Sequence, residues 1–99
     1  MQIIFMEDIT RLKRLVADLE RMQSGSTSAP ELMALPVLHD WVPSVRPVIS
    51  IEGTVEGHPS RPDGSRVNTS QTCLLIRDGS ETFARTFNRW YRLGLEARR

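Results

Sequence analysis

Ninety-nine residues leave room for one small domain, and 39% hydrophobic with 25% charged residues is an ordinary globular composition. No apolar run approaches the ~20 residues that span a bilayer, the opening MQIIFMED has no basic leader, and the single cysteine, Cys73, rules out an internal disulfide or a cysteine-built zinc cluster. The net charge of +1 hides an asymmetry: residues 1–60 carry five Lys/Arg against eight Asp/Glu, and residues 61–99 carry eight Arg against four acids. A basic half suits an anionic partner, but the excess is small and twelve of the thirteen basic residues are arginine, which is also what a GC-rich genome produces.

Residues 1–5 read as a short appendage, because Met6 opens MEDITRLKR in the manner of a natural start. From Asp8, the residues Ile9, Leu12, Leu15, Val16, Leu19 and Met22 recur at helical steps and form one apolar stripe, with charged residues on the other faces. Glu7 and Asp8 stand at the positive end of the helix dipole, and the helix is expected to end near Gln23, before SGSTS. The run SAPE, Ser28–Glu31, has capping-box spacing and predicts a second short helix over Ala29–Leu35 that buries Leu32, Met33 and Leu35. PVLHDWVPSVRP, residues 36–47, then reads as a crossing that tucks Val37, Leu38, Trp41 and Val42 against the core.

The period next changes to two. Val48–Val55 predicts a first strand, with Gly53 marking a bulge or bend. GHPSRPDGS is a turn-rich loop, Arg66–Arg77 a long second strand, and Asp78-Gly79 the turn into a third strand over about Glu81–Phe87. A turn at Phe87–Arg89 leads to a fourth strand, Trp90–Leu93, and residues 95–99 are expected to fray. The fold class expected is α+β: an N-terminal amphipathic helix and a short second helix packed on a four-stranded antiparallel meander, either open or curled as a small SH3-like barrel. The whole is expected to be one domain, helical over about 7–35 and β over about 47–94.

Two stretches, GTVEGHPSRPDGSRVNTS and ARTFNRWYRLG, carry a pattern of Gly-x-Val-x-Gly-His-Pro, Asp-Gly, Thr-Ser, Arg-Thr and Tyr-x-Leu-Gly. That pattern resembles a family of small bacterial proteins without assigned activity, frequent in alphaproteobacteria and on their plasmids. The leading segment resembles the family's two helices, while QTCLLIRDGSETFA matches less well than its flanks. The resemblance implies a bacterial accessory protein of mobile-element origin, and it brings no ligand or catalytic residue. The same residues also meet plain structural needs. Gly57 permits positive φ at the strand end, and the Thr69 and Ser70 hydroxyls can satisfy amides of the returning loop.

Among chemistry-bearing residues, His58 lies in a loop with Asp63, and Ser70 and Cys73 follow on the next strand. A nucleophile–histidine–acid set would need them within hydrogen-bonding reach, whereas a loop histidine ordinarily holds backbone. His39 and Asp40, beside Trp41, carry the same ordinary reading, and Cys73 reads as an inert thiol in a strand. Two histidines nineteen residues apart with no nearby ligand pair offer no metal cage, so no metal and no cofactor are expected. The last hairpin is the partner-binding candidate, through Arg85, Arg89, Trp90 and Arg92. Alternation sends Trp90 and Arg92 one way and Tyr91 and Leu93 the other; if Tyr91 and Leu93 fill the core, Arg89, Trp90 and Arg92 lie together outside. The function expected is non-enzymatic: a cytoplasmic accessory or regulatory protein that binds a protein partner. It would be a monomer, or a homodimer through the first helix, with no membrane attachment. The runner-up is a nucleic-acid-binding module that uses the same arginines.

Overall fold

The computed structural model describes residues 1–97, so the last two residues of the tail expected to fray lie outside the described residues. Strand β1 (Gln2–Met6) is followed by helices α1 (Ile9–Gln23) and α2 (Ala29–Met33), and then by strands β2 (Glu52–Thr54), β3 (Arg66–Asn68), β4 (Thr72–Asp78), β5 (Glu81–Thr86) and β6 (Trp90–Leu93). The class is α+β, with a four-stranded antiparallel sheet ordered β1-β4-β5-β6 and a two-stranded sheet β2-β3. Two compact units divide the chain, residues 8–46 and residues 1–7 with 47 onward, and each is a unit of its own where the sequence suggests one domain.

The helical unit follows its local signals. Asp8 caps α1, its carboxylate accepting the Arg11 N–H at 3.2 Å. At α2 the Ser28 hydroxyl accepts the Glu31 N–H at 3.4 Å, and Glu31 accepts the Ser28 N–H at 3.1 Å. This is the reciprocal cap that the spacing of SAPE predicts. Glu31 also takes Arg21 at 2.9 Å, an exposed ion pair of little energetic weight. The burial expected here is not found: no residue of α1 or α2 is buried, and Leu32, Met33, Leu35, Val37, Leu38, Trp41 and Val42 are all exposed. A fifteen-residue and a five-residue helix on their own have too little facing surface to enclose those side chains.

The β unit corrects the reading of the N-terminus. Residues 2–6 are an edge strand, in register with β4 from Gln2 opposite Arg77 to Met6 opposite Leu74, with one irregularity between Ile3 and Phe5. The Glu7 N–H extends the ladder to the Cys73 carbonyl at 2.9 Å, and the Gln71 amide reaches the Glu7 carboxylate at 3.3 Å. The edge of β4 beyond Thr72 is free for β1 because the expected first strand reaches only the start of β4 and otherwise pairs with β3 and its flanks. Its ladder runs from the Thr72 N–H to the Ile49 carbonyl (2.8 Å), through β2-β3, to the Val55 N–H on the Ser65 carbonyl (3.0 Å). The larger sheet has four strands, the number expected, but β1 takes the place of the 48–55 segment in it.

The single long strand expected over residues 66–77 is broken into β3 and β4 at Thr69–Gln71. Thr69 explains the break, since its hydroxyl accepts the Ile51 N–H at 3.0 Å and donates to the Ser70 carbonyl at 2.8 Å. A side chain thus does the work of a ladder carbonyl. The Ser70 hydroxyl, expected to act likewise, is buried without a partner. Gly53 is neither bulge nor bend; it sits in plain register opposite Val67. Buried residues of the β unit centre on Ile76, Ala84, Thr72 and Thr86. The Thr86 hydroxyl accepts the Asn88 and Arg89 N–H groups at 3.2 and 3.3 Å and so ties the last turn to β5.

Candidate functional site

The β5–β6 hairpin sorts its side chains by the pleat. Trp90 lies opposite Arg85 and Arg92 opposite Phe83, while Tyr91 lies opposite Ala84 and Leu93 opposite Thr82. Directly opposed residues share a face, so Arg85, Trp90, Arg92 and Phe83 form one surface. Trp90 and Arg92 are exposed; Tyr91 and Leu93 are half-buried. Arg89 departs from the expected grouping. It lies two residues before Tyr91, on Tyr91's side of the alternation, and its charge acts on His58.

A cleft of about 720 Å³ opens between β6 and β2, with the Gly57–Pro59 loop among its lining. His58 stands in it, half-buried, its ring 6.3 Å from that of Tyr91 and inclined by 34°. His58 Nδ1 accepts the Ser60 N–H at 3.1 Å. Partial desolvation, and then the charges of Arg89 and Arg61, hold the His58 pKa below its ordinary 6.5. Asp63 accepts the Gly57 N–H at 2.9 Å, which closes the loop on itself, and Gly57 takes φ +73° as that turn requires.

The candidate nucleophiles are engaged elsewhere or unpartnered. The Cys73 thiol leans on the Gln71 carbonyl at 3.8 Å, and burial first, then the Glu7 carboxylate, pushes its pKa up. Neither it nor the unpartnered Ser70 hydroxyl has a hydrogen bond to His58. In the helical unit, Asp40 takes φ +52°, a conformation aspartate tolerates better than most residues, and His39 is exposed. Among the described residues no group of three His, Cys, Asp or Glu is placed to hold a metal ion, and no helix is long and apolar enough to cross a membrane.

Sequence reasoning found the hairpin and the His58 loop separately and missed the cleft that joins them. It also missed Arg61, whose charge reaches His58. No local signal carries either feature, since β2 and β6 lie far apart in the chain. Comparison with family models, with curated proteins and with solved structures finds no match for this chain.

Proposed function

We propose that this chain is a non-enzymatic accessory protein that works by binding another protein through its C-terminal hairpin. The observation that supports this most is the exposed Trp90, with Arg85 opposite it and Arg92 on the same face. A large aromatic bracketed by guanidinium groups is the composition of an interaction hot spot. The hydrogen bonds of His58 and Asp63 to backbone favour a structural loop over catalysis. A small bacterial accessory role is also what the pattern resemblance implies.

Nucleic-acid binding by the same arginines is the second reading, and the division of charge weighs against it. Arg85 and Arg92 share Trp90's face while Arg89 lines the cleft with His58, and Glu52, Glu56 and Glu81 line that cleft too. A phosphate backbone would meet an interrupted basic track. The test is a pull-down from the native host with the wild type and with Trp90→Ala. One stoichiometric protein, kept by the wild type and lost by the variant, is the expected result. Recovery of nucleic acid instead would overturn the reading.

A further inference from the structure

The cleft has a feature beyond its side chains: both walls are strands with an unpaired edge. The Thr86 N–H donates to the Arg89 carbonyl at 2.9 Å, so Thr86 and Arg89 form a bonded pair. Bonded and non-bonded pairs alternate in an antiparallel ladder. With the observed register, Tyr91 and Leu93 therefore bond toward β5, and the N–H and C=O groups of Trp90 and Arg92 point away from it. The opposite wall repeats the arrangement. Val55 and Ile51 bond toward the returning strand, through the Ser65 carbonyl at 3.0 Å and the Thr69 N–H at 2.9 Å, so Glu52 and Thr54 turn their backbone groups outward. All four outward residues line the cleft. Strand edges in this state are templates for another strand.

Charge narrows the occupant. Among the described residues the ion pairs are Arg21–Glu31 and Arg66–Glu52, so Arg85, Arg89, Arg92 and Arg61 have no acidic partner. Glu52 is occupied by Arg66 at 3.5 Å and by the Asn68 amide at 3.2 Å. The remaining charge is uneven along β6: Arg89 and the His58–Tyr91 pair stand at its start, with the charge of Arg61 also acting on His58, whereas at its end Arg92 is offset by Glu81, next to the Thr82–Leu93 pair, and Glu56 also lines the cleft. A strand antiparallel to β6 runs from the Gly94 end to the Arg89 end, which brings its C-terminal portion to the cationic end.

Resting on the protein-binding reading above, we propose that the partner is an acidic peptide segment that adds as an antiparallel strand to the open edge of β6, the side-chain carboxylates of its C-terminal residues seated against Arg89 beside His58. Backbone hydrogen bonds from Trp90 and Arg92 supply the strand geometry, and the arginines select for acid. Trp90 and Arg92 meet the peptide's side chains on one face, and Tyr91 and Arg89 meet them on the other.

The test uses the full chain and N-acetylated six-residue peptides of alternating valine and threonine. One ends in two glutamates and is amidated; a second has no glutamate and a free C-terminus; a third ends in two amidated lysines. Amide-resolved NMR is expected to show the Trp90 and Arg92 N–H signals shifting and gaining exchange protection with the first peptide and not with the second or the third; binding of the second peptide alone would overturn the proposal. The first peptide is then N-methylated at its odd or its even positions. One set is expected to abolish binding and the other to leave it, because only alternate amides face β6. Arg89→Ala is expected to weaken the acidic peptide about tenfold. Equal binding of both methylated sets, equal binding of the lysine peptide, no binding of any peptide, or dimerisation of the chain through β6 would each overturn the proposal. Trp90-dependent capture of a host protein that survives such a result would leave the broader protein-binding reading standing.

Discussion

His58 accepts a backbone amide and is partly desolvated in its cleft, with the charges of Arg89 and Arg61 adding to that effect, and the setting has a measurable consequence. Its proton NMR titration is expected to have a midpoint below 6.5, and Arg89→Ala is expected to move that midpoint up toward 6.5. Because the folded-state value is depressed, the unfolded chain takes up the proton first as pH falls through 6.5. Folding stability is therefore expected to be full above that value and to decline as pH falls through the folded-state midpoint, and urea unfolding of the wild type against His58→Gln at both ends of that window measures the difference. Two glycines make a second contrast at this scale. A Cβ would meet nothing within 4 Å at Gly53 or at Gly57, so packing does not distinguish them, but only Gly57 has positive φ, +73°. Gly57→Ala is expected to cost about 1 kcal/mol in urea unfolding, and Gly53→Ala, in ordinary strand conformation, to gain about 0.5 kcal/mol.

At the scale of elements, β1 decides how the larger sheet ends. It covers β4 from Leu74 to Arg77, and β4 also carries Ile76, one of the two buried hydrophobic residues among the described residues. Deleting residues 1–6 is expected to lower unfolding stability by about 2–5 kcal/mol, since each ladder bond contributes about 0.5–1.5 kcal/mol net. The bare edge of β4 is also expected to promote association at raised concentration, which light scattering would detect. Both helix starts and the end of α1 were legible because caps and apolar period are written within four residues of each other, Asp8 with Arg11 and Ser28 with Glu31, whereas α2 stops at Met33, two residues short of the expected Leu35. The turns before Gly64 and after Asp78 were legible for the same reason. Strand membership was not, since QIIFM is too short to show a period and Thr69, an ordinary strand residue by propensity, breaks its strand through a contact with Ile51 eighteen residues away.

At the scale of the molecule, the basic C-terminal half separates the two readings of function by salt. Binding of wild-type protein to a short single-stranded DNA, measured by fluorescence anisotropy, is expected to be weak and to vanish as salt is raised to about 0.2 M, with at most a few counterions released. A tight complex that persists there and is lost in Arg89→Ala and Arg92→Ala would favour the nucleic-acid reading. Residues adjacent in the chain were sufficient to specify two capped helices, the turns of the last two hairpins, and a final strand that divides Trp90 and Arg92 from Tyr91 and Leu93 between its two faces. All of these depend on interactions a few residues long, which composition and spacing record directly. The pairing of β1 with β4, the break between β3 and β4, and the cleft between β2 and β6 that brings Arg89 and His58 into one lining were decided only by tertiary structure. Each of those joins segments tens of residues apart, and a backbone edge offers the same hydrogen bonds to any strand until competition among the whole set of strands has assigned it a partner.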